Sequence, residues 1–125
     1  MRLMAIDYGE KRVGIASTDE TGHFALPRMV LENNQDLLDK VLEFIKKENI
    51  EKVVMGESKN FQGADNPIQA EIEKFKTLLE TLEVKVVLHP EVLTTMEARR
   101  LQGQTEMTDA SAAALILKSF IESRV

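Results

Sequence analysis

The stretch that decides the fold is RLMAIDYGEKRVGIAS, at residues 2–17. Its first segment, Arg2–Asp7, has the apolar content of a buried strand, and its last segment, Arg12–Ser17, alternates branched apolar residues with small ones. The residues between them, Tyr8–Lys11, include a glycine and predict a tight turn. Two strands joined by so short a turn must be antiparallel. The sequence therefore predicts a β-hairpin at its start.

Apolar strands and amphipathic helices make up the rest of the chain. A third strand is predicted at Phe24–Leu31, at a sheet edge because Pro27 cannot donate to a ladder. The next helix has apolar residues at 3.6-residue spacing, Asn33 or Asn34 as its cap, and the basic Lys46–Lys47 at its end, where they suit the helix dipole. The remaining predicted elements are strands at Glu51–Gly56 and Val84–Leu88 and helices at Pro67–Leu82, Thr94–Glu97 and Asp109–Ile121. This order predicts a mixed α/β sheet with helices on its faces.

Length and composition indicate one domain over residues 1–125, with 43% hydrophobic residues to build its core. There is no cysteine, which excludes disulfides and thiolate metal sites and fits a reducing cytoplasm. The apolar stretch at the N-terminus is about five residues long, shorter than a signal peptide requires. No segment approaches the roughly 20 apolar residues of a membrane span. We therefore expect a cytoplasmic protein with no membrane partner.

The net charge of −5 argues against a protein that binds phosphate backbones by bulk charge alone. It does not exclude a nuclease, because metal ions bridge carboxylates and phosphates locally. His23 and His89 have no ligand-like spacing, so we interpret both as ordinary residues and consider zinc improbable.

Three carboxylates are predicted at strand exits or at a helix start. Asp7 ends the first strand, Glu91 follows the last strand, and Asp109 begins the terminal helix. Converging at one sheet edge, they could hold two divalent cations about 4 Å apart, as phosphodiester hydrolysis requires. Taken singly, each has a simpler interpretation: Asp7 could cap the turn or pair with Lys11 or Arg12, and Asp109 could be a helix cap.

Further charged residues are candidates for the same site. Glu57, at the exit of the Glu51–Gly56 strand, is a fourth candidate metal ligand, although an exposed loop glutamate is the commoner explanation. The basic candidates for binding nucleic-acid phosphates flank the first turn or lie near residue 100, and they are Lys11, Arg12, Arg99 and Arg100. For the last two, solvated helix charge is the competing interpretation.

The opening motif IDYGEKRVGIA, at residues 6–16, closely resembles that of the YqgF family, which is similar to Holliday junction resolvases of the RuvC type. Three later stretches agree in order: VVMGESKNFQG at 53–63, PEVLTTMEA at 90–98 and DASAAALILKSFI at 109–121. The resemblance covers essentially the whole chain.

This resemblance implies a ribonuclease H-like fold: a mixed five-stranded sheet with helices on both faces, its first three strands antiparallel and its last two parallel to the first. It also implies a metal-dependent nuclease using Mg²⁺ or Mn²⁺, described for bacterial members as a pre-16S ribosomal RNA nuclease or a junction resolvase. The expected substrate is precursor rRNA or branched DNA. Carried over by motif, Asp7, Glu91 and Asp109 are the acidic triad.

The chain departs from the family pattern in three places. The usual Asp-Glu-Arg is Pro90-Glu91-Val92, which loses an acid and a base around the glutamate. The usual Gly-Leu-Pro is Gly56-Glu57-Ser58, which adds a carboxylate where RuvC-like resolvases are expected to place one. Residues 101–108 form a shorter and less basic segment than is typical. The first and third departures predict a weaker grip on nucleic acid.

Two other functions are compatible with the sequence. One is a catalytically weak nucleic-acid-binding module that keeps the fold. The other is a nucleotide-binding protein, since Asp7-Tyr8-Gly9 also resembles the first phosphate motif of the actin and sugar-kinase superfamily, although those proteins pair two such domains. Whether the chain is a monomer or a homodimer is open, and symmetric cutting of a junction would require a dimer.

Overall fold

Five strands and three helices make up the described part of the computed structural model, which covers residues 1–57, 67–90 and 108–123, without the side chains of Pro67, Pro90, Thr108 and Asp109. In chain order the elements are β1 (Leu3–Tyr8), β2 (Arg12–Thr18), β3 (Ala25–Glu32), α1 (Leu37–Glu48), β4 (Lys52–Glu57), α2 (Pro67–Thr81), β5 (Val86–Pro90) and α3 (Thr108–Ser123). The predicted Thr94–Glu97 helix lies outside the described residues.

The strands form one sheet in the order β3-β2-β1-β4-β5. β2 is antiparallel to β1 and to β3, whereas β4 is parallel to both β1 and β5. The predicted mixed sheet, with three antiparallel strands followed by two parallel to the first, is confirmed. β1 lies at its centre, so the carboxyl ends of β1, β4 and β5 meet at one edge, which we call the carboxyl edge.

Helices cover both faces of the sheet, as predicted. On one face, which we call the α1–α2 face, alternate strand residues such as Met4 and Ile6 pack against both helices. On the other, the α3 face, Leu3, Ala5 and Val54 pack against α3. Because successive strand residues point to opposite faces, these two sets assign a face to every residue of β1 and β4.

β3 is an edge strand, as its proline predicts. Ile15 pairs with Met29 but Ala16 pairs with Pro27, which leaves Arg28 as the extra residue of a β-bulge. The Arg28 guanidinium donates hydrogen bonds of 2.9 Å to the hydroxyl of Ser17 and to Oε1 of Glu48. It also lies 5.4 Å from the centroid of the Phe44 ring. The bulge therefore joins the outer strand to α1.

The start of α1 corrects one prediction. Neither Asn33 nor Asn34 caps the helix, whose N-cap position is Asp36. The Asn34 side chain instead accepts a 2.9 Å hydrogen bond from the Asp36 N–H, forming a turn before the helix. Asn33 holds the β1–β2 turn: its side chain donates to the Gly9 carbonyl at 2.8 Å, and its N–H donates to the Lys11 carbonyl at 2.9 Å.

The carboxyl ends of α1 and α2 bear on two further predictions. Lys46 and Lys47 lie in the last turn of α1, as predicted, before a left-handed Asn49. β5 begins two residues later than predicted, because the Val84 N–H donates to the Leu79 carbonyl at 3.0 Å and so completes the end of α2. Within the described ranges, no helix has the length and apolar content needed to span a bilayer.

Gly9 generates a prediction about the first turn. A Cβ atom at this position would overlap the carbonyl oxygen of Arg12. We expect Gly9→Ala to lower the free energy of unfolding by about 1–3 kcal/mol, because the turn must shift. Urea unfolding measures this, with Glu10→Ala as the matched control on the exposed neighbour. A Gly9→Ala loss no larger than that of the control would contradict the close approach.

Glu48 generates a prediction about pH. The hydrogen bond from Arg28 lowers the pKa of Glu48, and the charge of Arg2, 3.6 Å away, acts in the same direction. Since the folded state favours the carboxylate, this stability is present at neutral pH and is lost as the pH falls below the usual glutamate range. We expect Glu48→Gln to cost about 1 kcal/mol at pH 7 and less near pH 3.

Urea unfolding at several pH values between 7 and 3 measures this difference. Glu43→Gln, on an exposed position of the same helix, is the control and should change stability little at any pH. A Glu48→Gln cost that does not shrink with acid would be inconsistent with the ion pair.

Candidate functional site

Asp7 lies at the carboxyl edge, near the end of the central strand. Its side chain points to the same side of β1 as those of Leu3 and Ala5, and it therefore belongs to the α3 face. The residue is half-buried and its Oδ2 atom is shielded from solvent. A carboxylate in such a position is costly to desolvate and requires compensation by hydrogen bonds, cations or both.

Glycines flank Asp7 on both neighbouring strands. Gly14 of β2 pairs directly with Asp7. On the other side, Ile6 pairs with Met55, so the next residue of β4, Gly56, lies level with Asp7. Neither neighbour has a side chain on the α3 face. The two flanking strands thus place no side chain beside this carboxylate, a feature that single motifs do not reveal but that the register makes visible.

Glu57 lies at the same edge but on a different face. It is the last residue of β4 and lies on the same side of the strand as Val53 and Met55, which pack on the α1–α2 face. Its Cβ atom is therefore directed away from the α3 face, to which Asp7 belongs. The strand geometry brings the two carboxylates to one edge without placing them side by side.

The other predicted acids are only partly described. Glu91 follows directly after β5, whose last residue pairs with Glu57, and lies outside the described residues. Asp109 is the second residue of α3, the helix that covers the face of Asp7, and its side chain is not described. Arg99 and Arg100 are also outside the described residues. The roles of these four residues therefore stay predictions.

Lys11 lies in the β1–β2 turn and Arg12 is the first residue of β2. Both are exposed, close to the end of the strand that carries Asp7. The turn that presents them is held by the two hydrogen bonds from Asn33. Its conformation is therefore defined by the protein rather than by solvent. Sequence inspection missed this role, because an asparagine before a helix has the typical appearance of a cap.

His89 links β5 to α3. Gly56 pairs with His89, so the histidine lies level with Asp7 two strands away and on the same face. Its Nε2 is 3.0 Å from Oγ of Ser119, and its ring meets Phe120 edge-on with the centroids 5.8 Å apart. The predicted interpretation as an ordinary residue agrees with these packing contacts.

A hard divalent cation is compatible with the donor that the structure describes. Mg²⁺ and Mn²⁺ prefer carboxylate oxygens, and the space beside Asp7 is free of neighbouring side chains on two strands. Residues 1–57, 67–90 and 108–123 contain no group of three or more acids or histidines able to hold a metal ion. A full ligand set would therefore need donors that the structure does not describe, and Glu91 and the Asp109 side chain are the predicted ones.

Comparison with solved structures relates the architecture to two resolvases. The fowlpox virus resolvase, solved with Holliday junction DNA, has a TM-score of 0.63 and 14% identity, covering 100% of this chain and 99% of that one. Thermus thermophilus RuvC with a Holliday junction substrate has a TM-score of 0.62 and 16% identity, covering 99% and 95%. At these identities the likeness establishes the fold, which is the predicted ribonuclease H-like architecture of RuvC.

Sequence comparison identifies relatives of similar length. Proteins named "Putative pre-16S rRNA nuclease" from Bacillus cytotoxicus and Bacillus cereus are 31% and 32% identical over 137 residues, covering 99% of this chain and 100% of each relative. The RuvX family model, described as Holliday junction resolvase, matches residues 1–123. The chain therefore belongs to the RuvX family.

Proposed function

We propose that this protein is a metal-dependent endonuclease that hydrolyses nucleic-acid phosphodiesters, with precursor 16S rRNA as its substrate. The main support is Asp7, a shielded carboxylate at the carboxyl edge with glycines on both flanking strands. Membership of the RuvX family and the names of the Bacillus relatives support the activity and the substrate. The absence of cysteine supports a cytoplasmic location.

In this proposal Asp7, Glu91 and Asp109 hold the Mg²⁺ or Mn²⁺ ions. Two bound cations would supply the Lewis-acid stabilisation of phosphate charge and the activation of water that phosphodiester hydrolysis requires. The oxygen of water bonds to phosphorus while a phosphorus–oxygen bond of the backbone breaks, and the leaving oxygen takes up a proton. With glycines at Gly14 and Gly56, neither flanking strand would obstruct a phosphate approaching the carboxylate.

The basic residues would orient the substrate. Lys11 and Arg12 project from a turn that Asn33 immobilises, so they can bind a phosphate without first ordering their own backbone. Arg99 and Arg100 are proposed as a second phosphate contact. Phosphate contacts position a nucleic acid without reading its sequence, which suits cleavage chosen by the shape of the substrate.

Cleavage of four-way DNA junctions is the second candidate function. The description of the RuvX family and the two resolvases solved with junction DNA favour it. A binding module with weak catalysis is the third candidate, favoured by Pro90 and Val92 beside Glu91. Metal-dependent cleavage separates the first two functions from the third, and the preferred substrate separates the first from the second.

We expect Asp7→Asn to abolish cleavage of labelled precursor 16S rRNA in the presence of Mg²⁺ or Mn²⁺. Loss of an outer-shell partner of a metal already costs about 10- to 100-fold in affinity or activity, so loss of a ligand should cost more. Asp39→Asn, an exposed aspartate in the first turn of α1, should cleave like the wild type.

A four-way DNA junction tested in parallel identifies the substrate. Preference for the junction would replace RNA processing with the resolvase function. Cleavage of neither substrate, with binding that persists in a chelator, would overturn the nuclease in favour of the binding module. Equal cleavage by Asp7→Asn and the wild type would exclude Asp7 from catalysis.

Glu57 generates a separate prediction. Its ligand role stays a prediction, but its place on the α1–α2 face disfavours it. We expect Glu57→Gln to keep the wild-type rise in melting temperature on addition of Mn²⁺, whereas Asp7→Asn loses much of that rise. If Glu57→Gln lost it to the same extent, Glu57 would be a ligand despite the strand alternation.

A further inference from the structure

A cavity opens at the carboxyl edge on the α1–α2 face. It has a volume of about 610 Å³, and among the described residues it is lined by Tyr8, Glu10, Asn33, Ile68 and Glu71. Tyr8 follows Asp7 in β1, so the two side chains belong to opposite faces of the same strand end. The cavity therefore lies across the edge of the sheet from the proposed catalytic carboxylate.

The lining combines an apolar surface with hydrogen-bond acceptors. Tyr8, whose ring centroid lies 5.4 Å from that of Phe75, offers an aromatic ring, and Ile68 adds aliphatic surface. Glu10 and Glu71 are exposed carboxylates that line the same space. Carboxylates repel phosphate but accept hydrogen bonds from amino groups, as in their pairing with the N4 amino group of cytosine. This chemistry suits a nucleobase better than a backbone phosphate.

The two carboxylates of the cavity differ in how they are held. Asn33 donates to the Gly9 carbonyl and so restrains the turn that carries Glu10. Glu71 is 3.6 Å from Nζ of Lys74, an exposed pair in which both side chains remain more than half accessible. Such a surface pair contributes little free energy, so it leaves Glu71 able to accept a hydrogen bond from a ligand.

The shared strand end relates this cavity to the catalytic edge. Asp7 and Tyr8 are consecutive residues at the end of β1, and their side chains belong to opposite faces. A single strand bound with a phosphodiester beside Asp7 and passing around this strand end would bring a base of an adjacent nucleotide toward Tyr8. Stacking on an aromatic ring is a recurrent way for proteins to hold unpaired bases.

We propose that this cavity is a nucleobase subsite, which rests on the proposed nuclease function, and that it takes an unpaired base bearing an amino group near the cleaved phosphodiester. Cytosine, adenine and guanine each bear one, whereas uracil offers only its ring N3–H as a donor. The acceptors Glu10 and Glu71 supply the discrimination, and Tyr8 supplies the stacking surface.

Cleavage of a random-sequence, single-stranded RNA pool with Mg²⁺, followed by sequencing of the new ends, tests this subsite. In the wild type, one position at a fixed distance from the cut should be enriched in amino-bearing bases relative to uracil. The expected enrichment is roughly five- to tenfold, the low end of base discrimination by hydrogen bonds. The double variant Glu10→Ala/Glu71→Ala should still cleave but lose this preference. Glu73→Ala is the matched control and should keep this preference. Glu73 is an exposed glutamate of α2, the helix that carries Glu71, and it does not line the cavity.

The outcomes separate the subsite from the nuclease function. Cleavage without base preference at any position near the cut overturns the subsite and leaves the nuclease intact. A preference that survives in the double variant assigns base reading elsewhere and also overturns the subsite. If the wild type cleaves neither the pool nor precursor 16S rRNA nor a DNA junction, the proposed function fails and the subsite fails with it.

Discussion

A carboxylate at the end of a central, apolar strand is the constraint on which the rest of the structure depends. β1 is fully buried from Leu3 to Ile6, and Asp7 then brings charge to the rim of that core. Partial desolvation of a carboxylate is unfavourable unless something compensates it. The desolvation cost of such a group is lowest at a strand end, where one side stays open to solvent and ligand. The glycines on both flanking strands and the restrained first turn make that place usable.

The two faces of the sheet differ in the size of the side chains that build the core. The α1–α2 face holds the larger apolar side chains of the core, including Phe44, Phe75 and Leu79. The α3 face is built from smaller residues, with Ala110, Ala112 and Ala113 buried on the helix, so α3 can approach the strands closely. Ion pairs that stabilise the fold, such as Arg28 with Glu48, lie on the α1–α2 face. The closely packed α3 therefore covers the face of Asp7, whereas α1 and α2 cover the face of Tyr8.

Much of the fold could be predicted because its signals are local. The short glycine turn determines the first hairpin, and Pro27 assigns β3 to an edge, as the structure confirms. The predicted cap of α1 was wrong, although Asn33 and Asn34 both have good cap chemistry. Asn33 bonds instead to Gly9, 24 residues away in the sequence, and such a long-range contact has no local signal. The level placement of Gly56 with Asp7 also depends on a long-range register that no single motif contains.

The site was predictable to the same extent. Asp7 could be located from the strand that it ends, since a strand and its turn are adjacent in sequence. The division of Asp7 and Glu57 between two faces follows from the observed extent of β4, which continues through Glu57 rather than ending at Gly56. Because Glu57 belongs to the strand, the alternation of side chains between faces applies to it as well.

The bulged outer strand also limits how the sheet can meet other chains. An open strand edge is a template for intermolecular pairing, and proline and bulges are among the means by which proteins block it. In β3, Pro27 lacks an N–H group and the neighbouring Arg28 is turned inward to Ser17 and Glu48. The ladder along this edge is thus interrupted near its middle. Regular pairing of β3 with the same strand of a second copy is therefore disfavoured, which protects this edge against fibrous association.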